Sequence, residues 1–219
     1  MSKRTRFFLP NTILHICNRG AMDFQLFKEE EDYALCEKTL SDSILKYPIR
    51  LYSYCIMPNH WHLLIDGDDQ TSLSRCIQHF SSCHARNYRH RHGSTGKGAV
   101  YQNRFRAHPV QRNEAFARVA HYIEYNPVKA GLKVKAQEWR WCSAYPFIGS
   151  YLPVTPWPIQ KPSDWNSILT QETQGEWVDR INISLRLQQP LGDLAWVREL
   201  NALSETKNQT HTDSELSLS

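Results

Sequence analysis

Two histidines and a tyrosine are the residues in this chain best suited to chemistry. His60 and His62 sit two apart in Met57-Pro58-Asn59-His60-Trp61-His62-Leu63-Leu64-Ile65, an apolar run with β character. On a strand, residues i and i+2 share a face, so both imidazoles project together while Trp61 enters the opposite layer. Paired imidazoles on a rigid strand make a platform for a divalent metal ion. A bare His-x-His is equally compatible with two histidines that only pack or hydrogen-bond. What lifts this pair is a second stretch, Tyr122-Ile123-Glu124-Tyr125-Asn126-Pro127. In a helix whose apolar stripe is Phe116, Val119, Ala120 and Ile123, the ~100° step per residue puts Tyr122 and Asn126 on one flank, roughly 40° apart. Tyr125 falls almost opposite the stripe and faces outward. Tyr122 and Asn126 therefore look at the same object at the rim of the buried interface.

The elements that must carry these groups can be read from periodicity. Ile13-Leu14-His15-Ile16-Cys17 is a first strand, ended by Asn18-Arg19-Gly20, where Arg19 could reach a phosphate. Lys28 to Lys46 is a helix, and Glu29, Glu30, Glu31 and Asp32 load its first turn, where carboxylates suit the helix dipole. Ile49 to Met57 is a second strand. Pro58-Asn59 turns it into the histidine strand, which Asp66-Gly67-Asp68-Asp69 breaks. Ser72 to about Arg91 is a second helix with an inner stripe of Leu73, Cys76, Ile77, Phe80 and Cys83. Phe105 to Gln111 is a fourth strand. Asn113 caps a third helix through about Tyr125, and the proline after Asn126 is expected to end it. The order strand–helix–strand–strand–helix–strand–helix is an α/β chain of the α+β kind.

Between the histidine strand and the tyrosine helix lies a basic, glycine-rich stretch: Arg86, Arg89, Gly93 to Gly98, Tyr101, Arg104 and Arg106. Charges for phosphates and a flat ring for a base are what a single-stranded nucleic-acid groove needs. The position of this stretch predicts that it flanks the same cleft.

Composition sets outer bounds. The chain has 219 residues, 41% of them hydrophobic, and a net charge of +4, which permits a nucleic-acid partner without demanding one. No apolar run approaches the ~20 residues of a membrane span, and no signal peptide is read in Met-Ser-Lys-Arg-Thr-Arg-Phe-Phe-Leu-Pro. The six cysteines show no Cys-x-x-Cys pair and look like reduced, buried small hydrophobes, which makes the cytoplasm the expected compartment. Residues 1–150 read as the functional domain. Pro153, Pro156, Pro158 and Pro162 then mark a linker, and 151–203 read as linker plus a small C-terminal helical extension. The polar stretch 204–219 is expected to be disordered.

Taken together, Asn18-Arg19-Gly20, the Met57 to Leu64 run, Tyr122-Ile123-Glu124-Tyr125-Asn126-Pro127-Val128-Lys129-Ala130-Gly131-Leu132 and Trp141-Cys142-Ser143-Ala144-Tyr145 resemble single-tyrosine transposases with a His-hydrophobic-His motif. Among these they look most like the REP-associated tyrosine transposases of bacteria. The resemblance covers about residues 9 to 150. Cys142 stands where serine is expected, and Gln189-Pro190-Leu191-Gly192-Asp193 also looks familial, without a role. The resemblance implies a ferredoxin-like antiparallel sheet with helices on one face. It implies cleavage of single-stranded or hairpin DNA through a 5′-phosphotyrosine, with release of a 3′-OH. Tyr122 matches the nucleophile, His60 and His62 the metal pair and Asn126 the third ligand, for Mg²⁺ or Mn²⁺. The protein would work as a monomer or homodimer. Two rivals remain at this stage: a non-catalytic nucleic-acid binder on the same sheet, and a zinc hydrolase in which Asp66 folds back towards His60 and His62.

Overall fold

The computed structural model describes residues 12–146, 152–172 and 176–203. Apolar alternation and tight connections build one sheet from β1 (Ile13–Arg19), β2 (Arg50–Met57), β3 (His60–Asp66) and β4 (Arg106–Val110), in the order β2-β3-β1-β4, every pair antiparallel. Pro58-Asn59 forms the two-residue link that pairs Met57 with His60 and places both histidines at the start of β3. The histidine hairpin is as expected.

Helices cover both faces of this sheet, not one. β2 and β3 are buried along nearly their whole length, so each face needs cover. On one face Leu14, Ile16, Trp61, Leu63 and Ile65 pack against α1 (Glu30–Lys46) and α2 (Gln70–Arg91) through Tyr33, Cys36, Leu40, Ile44, Cys76, Ile77 and Phe80. On the other, Ile13, Tyr52, Cys55, Met57 and Leu64 pack against Phe116, Val119, Ala120 and Ile123 of α3 (Glu114–Lys129). The odd-numbered side chains of β1 and the even-numbered ones of β3 thus look at the tyrosine helix.

Local chemistry sets the helix ends. The acidic cluster before α1 is helix-start chemistry: Asp32 accepts from the Lys28 and Glu29 N–H groups, and its other oxygen accepts from Arg91 at the end of α2. Asp69 and Asn113 cap α2 and α3. The end of α3 differs from expectation, because the helix runs through Asn126-Pro127 to Lys129. Asn126 Nδ2 donates to the Tyr122 carbonyl at 2.6 Å, and Gly131, at φ 68°, closes the helix. The Gly131 and Leu132 N–H groups reach back to Val128 O and Pro127 O, both at 2.9 Å, so the carbonyls of the last turn are satisfied. These bonds offset the steric preference of a pre-proline residue for extended backbone.

The proline-rich segment is not a free linker. Thr155 N–H donates to Leu51 O at 2.7 Å, and Trp157 packs edge-on to Phe116. Prolines suit this path because an edge-following chain needs few donors. Beyond it, α4 (Trp165–Ile168) with the Leu169 that ends it, and α5 (Glu176–Leu187), carry Trp165, Leu169, Ile181 and Leu185 into the core around α3, and a helix over residues 194–203, here α6, follows. The Gln189 to Asp193 segment has a structural role. Leu191 lies parallel to Val110 on the exposed edge of β4, with Leu191 N–H to Pro109 O at 2.8 Å and Gln111 N–H to Leu191 O at 2.9 Å. A Cβ on Gly192 would fall 2.5 Å from Gln111 Oε1 and 2.6 Å from Trp196 Cε3, so only glycine fits this approach. The expectation for residues 204–219 lies outside the described residues.

Candidate active site at the histidine strand and tyrosine helix

His60 and His62 leave the same face of β3 with ring centroids 4.9 Å apart and planes at 88°. The Tyr122 ring stands edge-on to His62 at 5.8 Å and 6.1 Å from His15 of β1. One turn further, Asn126 hydrogen-bonds His60. All four residues selected from the sequence therefore meet in one place. Tyr125 is elsewhere: it stacks on His121 at 5.3 Å, beside the extension. The helical phase that selected Tyr122 over Tyr125 matches the structure.

The donor set fits a divalent ion. His60 Nδ1 is 2.6 Å from Asn59 Oδ1 and His62 Nδ1 is 2.9 Å from His15 Nε2, so each ring has its δ nitrogen engaged, which leaves the ε nitrogen of His60 for its bond to Asn126. Burial, reinforced by Arg19 and countered by the Asn126 hydrogen bond, pulls His60 down to about 4. Burial, with His60, His108 and Arg19 adding, holds His62 well below the ordinary histidine value. Both rings are therefore neutral near pH 7, the state a metal ligand requires. Among the described residues no three His, Cys, Asp or Glu side chains form a metal cluster. The groups that would hold an ion here are two imidazoles and the Asn126 amide.

Burial, with Cys17 adding and Arg19 opposing, pushes the Tyr122 hydroxyl up to about 12. Its hydroxyl faces Asn182 Oδ1 of α5 at 3.5 Å, and Lys129 Nζ lies 5.7 Å from its ring centroid. Lys129 is two helical turns from Tyr122, so the sequence carried that signal; nothing in it pointed to Asn182.

The basic stretch divides. Arg19 pairs with His60 across the β1–β3 ladder, and Arg106 pairs with Cys17 across β1–β4. Arg106 shares the face of His108, which touches His15, so both arginines belong to the face of the site. Arg104 is exposed just before β4. Arg86 and Arg89 do not flank this cleft, because α2 covers the opposite face of the sheet. There Arg86 Nη2 lies 3.5 Å from Cys83 Sγ, and Arg89 donates to Gly98 O. Tyr101 is not available to a base. It is 9% exposed, accepts from Trp61 Nε1 at 3.1 Å and sits 2.7 Å from His84 Nδ1. Asp66 is at the far end of β3, bound by Arg50, Tyr52 and Arg112, so the zinc-hydrolase alternative loses its base.

A profile of the family described as transposase IS200 like matches residues 9–126, more than half of the chain. The chain belongs to the IS200-like transposase family. A relative from Haemophilus influenzae, provisionally named a REP-associated tyrosine transposase, is 28% identical over 109 residues, covering 44% of this chain and 60% of that protein. Among solved structures, a REP-associated tyrosine transposase bound to a REP hairpin aligns with 74% of this chain and 100% of its own. Its TM-score is 0.51 at 17% identity, so the shared property is the fold. A provisionally named transposase from Deinococcus radiodurans aligns with 56% of this chain and 96% of its own at 18% identity. Its TM-score of 0.40 is too low to carry an argument. In this chain the family match spans β1 to α3 and stops at Asn126, so the packed extension lies wholly outside it.

Proposed function

We propose that the protein cleaves and rejoins single-stranded DNA that carries a hairpin of the REP kind, with Tyr122 as the nucleophile. The observation that carries this reading is the edge contact of the Tyr122 ring with His62, at 5.8 Å, in a chain that belongs to a transposase family. Tyr122 Oη gives up its proton to solvent and forms a bond to phosphorus, and the bond from phosphorus to the 3′ oxygen breaks. That oxygen takes a proton and leaves as a 3′-OH, and the 5′ phosphate stays on the tyrosine. The phosphotyrosine conserves the bond energy, so the reverse step rejoins strands without ATP.

A tyrosine with its proton held up to about 12 needs activation at neutral pH. Arg19 supplies part of it by favouring the phenolate, and Arg19 with Arg106 brings positive charge to the scissile strand. Mg²⁺ or Mn²⁺ held by the ε nitrogens of His60 and His62 and by the Asn126 amide would stabilise charge on the non-bridging phosphate oxygens. By holding the ion, His60, His62 and Asn126 would set where that phosphate sits relative to Tyr122. The hairpin in the solved relative supports the choice of substrate. Among the described residues no helix is long and apolar enough to cross a membrane, and the reaction is assigned to the cytoplasm, where bacterial DNA lies.

The test is cleavage of a hairpin-bearing single-stranded oligonucleotide in Mg²⁺ or Mn²⁺. Tyr122→Phe should abolish cleavage and leave binding near wild type, and His60→Ala should abolish it as well. Binding without cleavage by the wild-type chain would instead support a non-catalytic binder.

A further inference from the structure

Behind the His60 and His62 pair, β1 and β4 bring two more histidines into a buried row. His15 Nε2 is 2.9 Å from His62 Nδ1, and the His15 ring lies 5.0 Å from His62, 4.8 Å from His108 and 6.1 Å from Tyr122. His15 is 0% exposed and so is His108. His15 Nδ1 and both nitrogens of His108 have no hydrogen-bond partner among the described residues. A buried polar ring with an unpaired nitrogen costs stability, so its place needs a reason.

Two facing ring nitrogens at 2.9 Å share one proton. If His62 Nδ1 holds it, His62 donates to His15 and its Nε2 lone pair points into the site. If His15 Nε2 holds it, His62 must carry its own proton on Nε2, where it blocks a ligand. A ligating imidazole is commonly fixed by the group its other nitrogen meets. Here that group is another imidazole, which can take either role. We infer that His15 is a positioning residue that accepts the Nδ1–H of His62, sets the ring with Nε2 towards the metal site, and braces the Tyr122 ring from behind.

This inference rests on the proposed metal site, and the test separates the two. Free Mn²⁺ is titrated by electron paramagnetic resonance into the full-length wild-type chain and its His60→Ala, His15→Leu and His15→Gln variants, with thermal unfolding run alongside. Histidine ¹⁵N shifts give the His62 tautomer in the wild-type chain, which needs no variant to fold. Leucine cannot accept the proton, so His15→Leu should weaken Mn²⁺ binding about 10- to 100-fold. Glutamine can accept through its side-chain carbonyl and should restore most of that loss. The wild-type His62 should carry its proton on Nδ1. Wild-type affinity in His15→Leu, or a His62 proton on Nε2, would overturn the role of His15 while leaving the metal site intact. Equal binding by wild type and His60→Ala would overturn the metal site and this inference with it.

Discussion

Replacing Glu124 tests how the extension is tied to the helix that carries Tyr122. The Glu124 carboxylate is 1% exposed. Its Oε1 accepts from Ser143 Oγ at 2.7 Å and Ser53 Oγ at 3.2 Å, and its Oε2 accepts from Trp165 Nε1 at 2.8 Å. One side chain thus joins α3, β2, the Trp141 to Tyr145 loop and the extension. A hydrogen bond to a charged acceptor contributes ~1.5–3 kcal/mol, and a buried donor left unpaired costs ~1–3 kcal/mol. In Glu124→Ala the two hydroxyls can turn to other acceptors, since Ser143 Oγ already reaches Tyr54 O at 3.3 Å, but the Trp165 N–H cannot turn. Adding the cavity, the expected loss is about 3–5 kcal/mol. Glu124→Gln should cost only about 1–2 kcal/mol. With its oxygen towards Trp165 and its NH₂ towards the serines, which can accept, the amide keeps the same three partners. Urea unfolding followed by tryptophan fluorescence measures both losses. An equal loss in the two variants would refute the hydrogen-bond reasoning. A loss under about 1 kcal/mol in Glu124→Ala would mean that burying the carboxylate costs as much as its partners contribute.

Gly192→Ala should undock residues 190–203 from β4 and cost about 1–3 kcal/mol by overpacking, and faster proteolysis within that stretch is the readout. Arg19→Ala and Arg106→Ala should each weaken single-stranded DNA binding and flatten its salt dependence by about one unit of slope. Arg86→Ala should leave the slope unchanged, and a common slope for all three would refute the assignment of faces. Burial lowers His84 to about 4 and His108 to about 3. The unfolded chain protonates them near pH 6.5 while the folded chain does not, so stability falls as pH falls from 6.5 towards 4, by up to about 1.4 kcal/mol per pH unit for each. Urea midpoints measured from pH 7.5 to 5 check this, and a flat profile would exclude it.

What the sequence made legible was local. The two-residue period of β3 put His60 and His62 on one face, and the 3.6-residue period of α3 separated Tyr122 from Tyr125. Both are decided within a few residues of backbone. What it hid depends on partners far along the chain. The inner stripe of α2 reads the same whichever face of the sheet it covers, so Arg86 and Arg89 looked like neighbours of the cleft. Tyr101 follows a glycine-rich loop and reads as exposed until Trp61 and His84 close on its hydroxyl. The prolines from 153 to 162 signal irregular backbone, and that composition cannot distinguish a free linker from a strap along Leu51. His15 was visible as a strand residue, but its role requires the register that sets it against His62. Pro127 marked a helix end about four residues too early, because the bonds closing at Gly131 are a property of the whole last turn.

The central claim, that Tyr122 forms a covalent bond to the 5′ phosphate at the cleaved position, is tested most directly by trapping that bond. A hairpin-bearing oligonucleotide carrying distinct labels on either side of its cleavage site is incubated with the protein in Mn²⁺, quenched, digested with trypsin and analysed by mass spectrometry. The account predicts that the tryptic peptide containing Tyr122 carries the fragment from the 3′ side of the break, attached through its 5′ phosphate. The other fragment should leave with a free 3′-OH, and Tyr122→Phe should yield no adduct. An adduct on any other residue, attachment of the opposite fragment, or cleavage by the wild-type chain with no covalent species would contradict it.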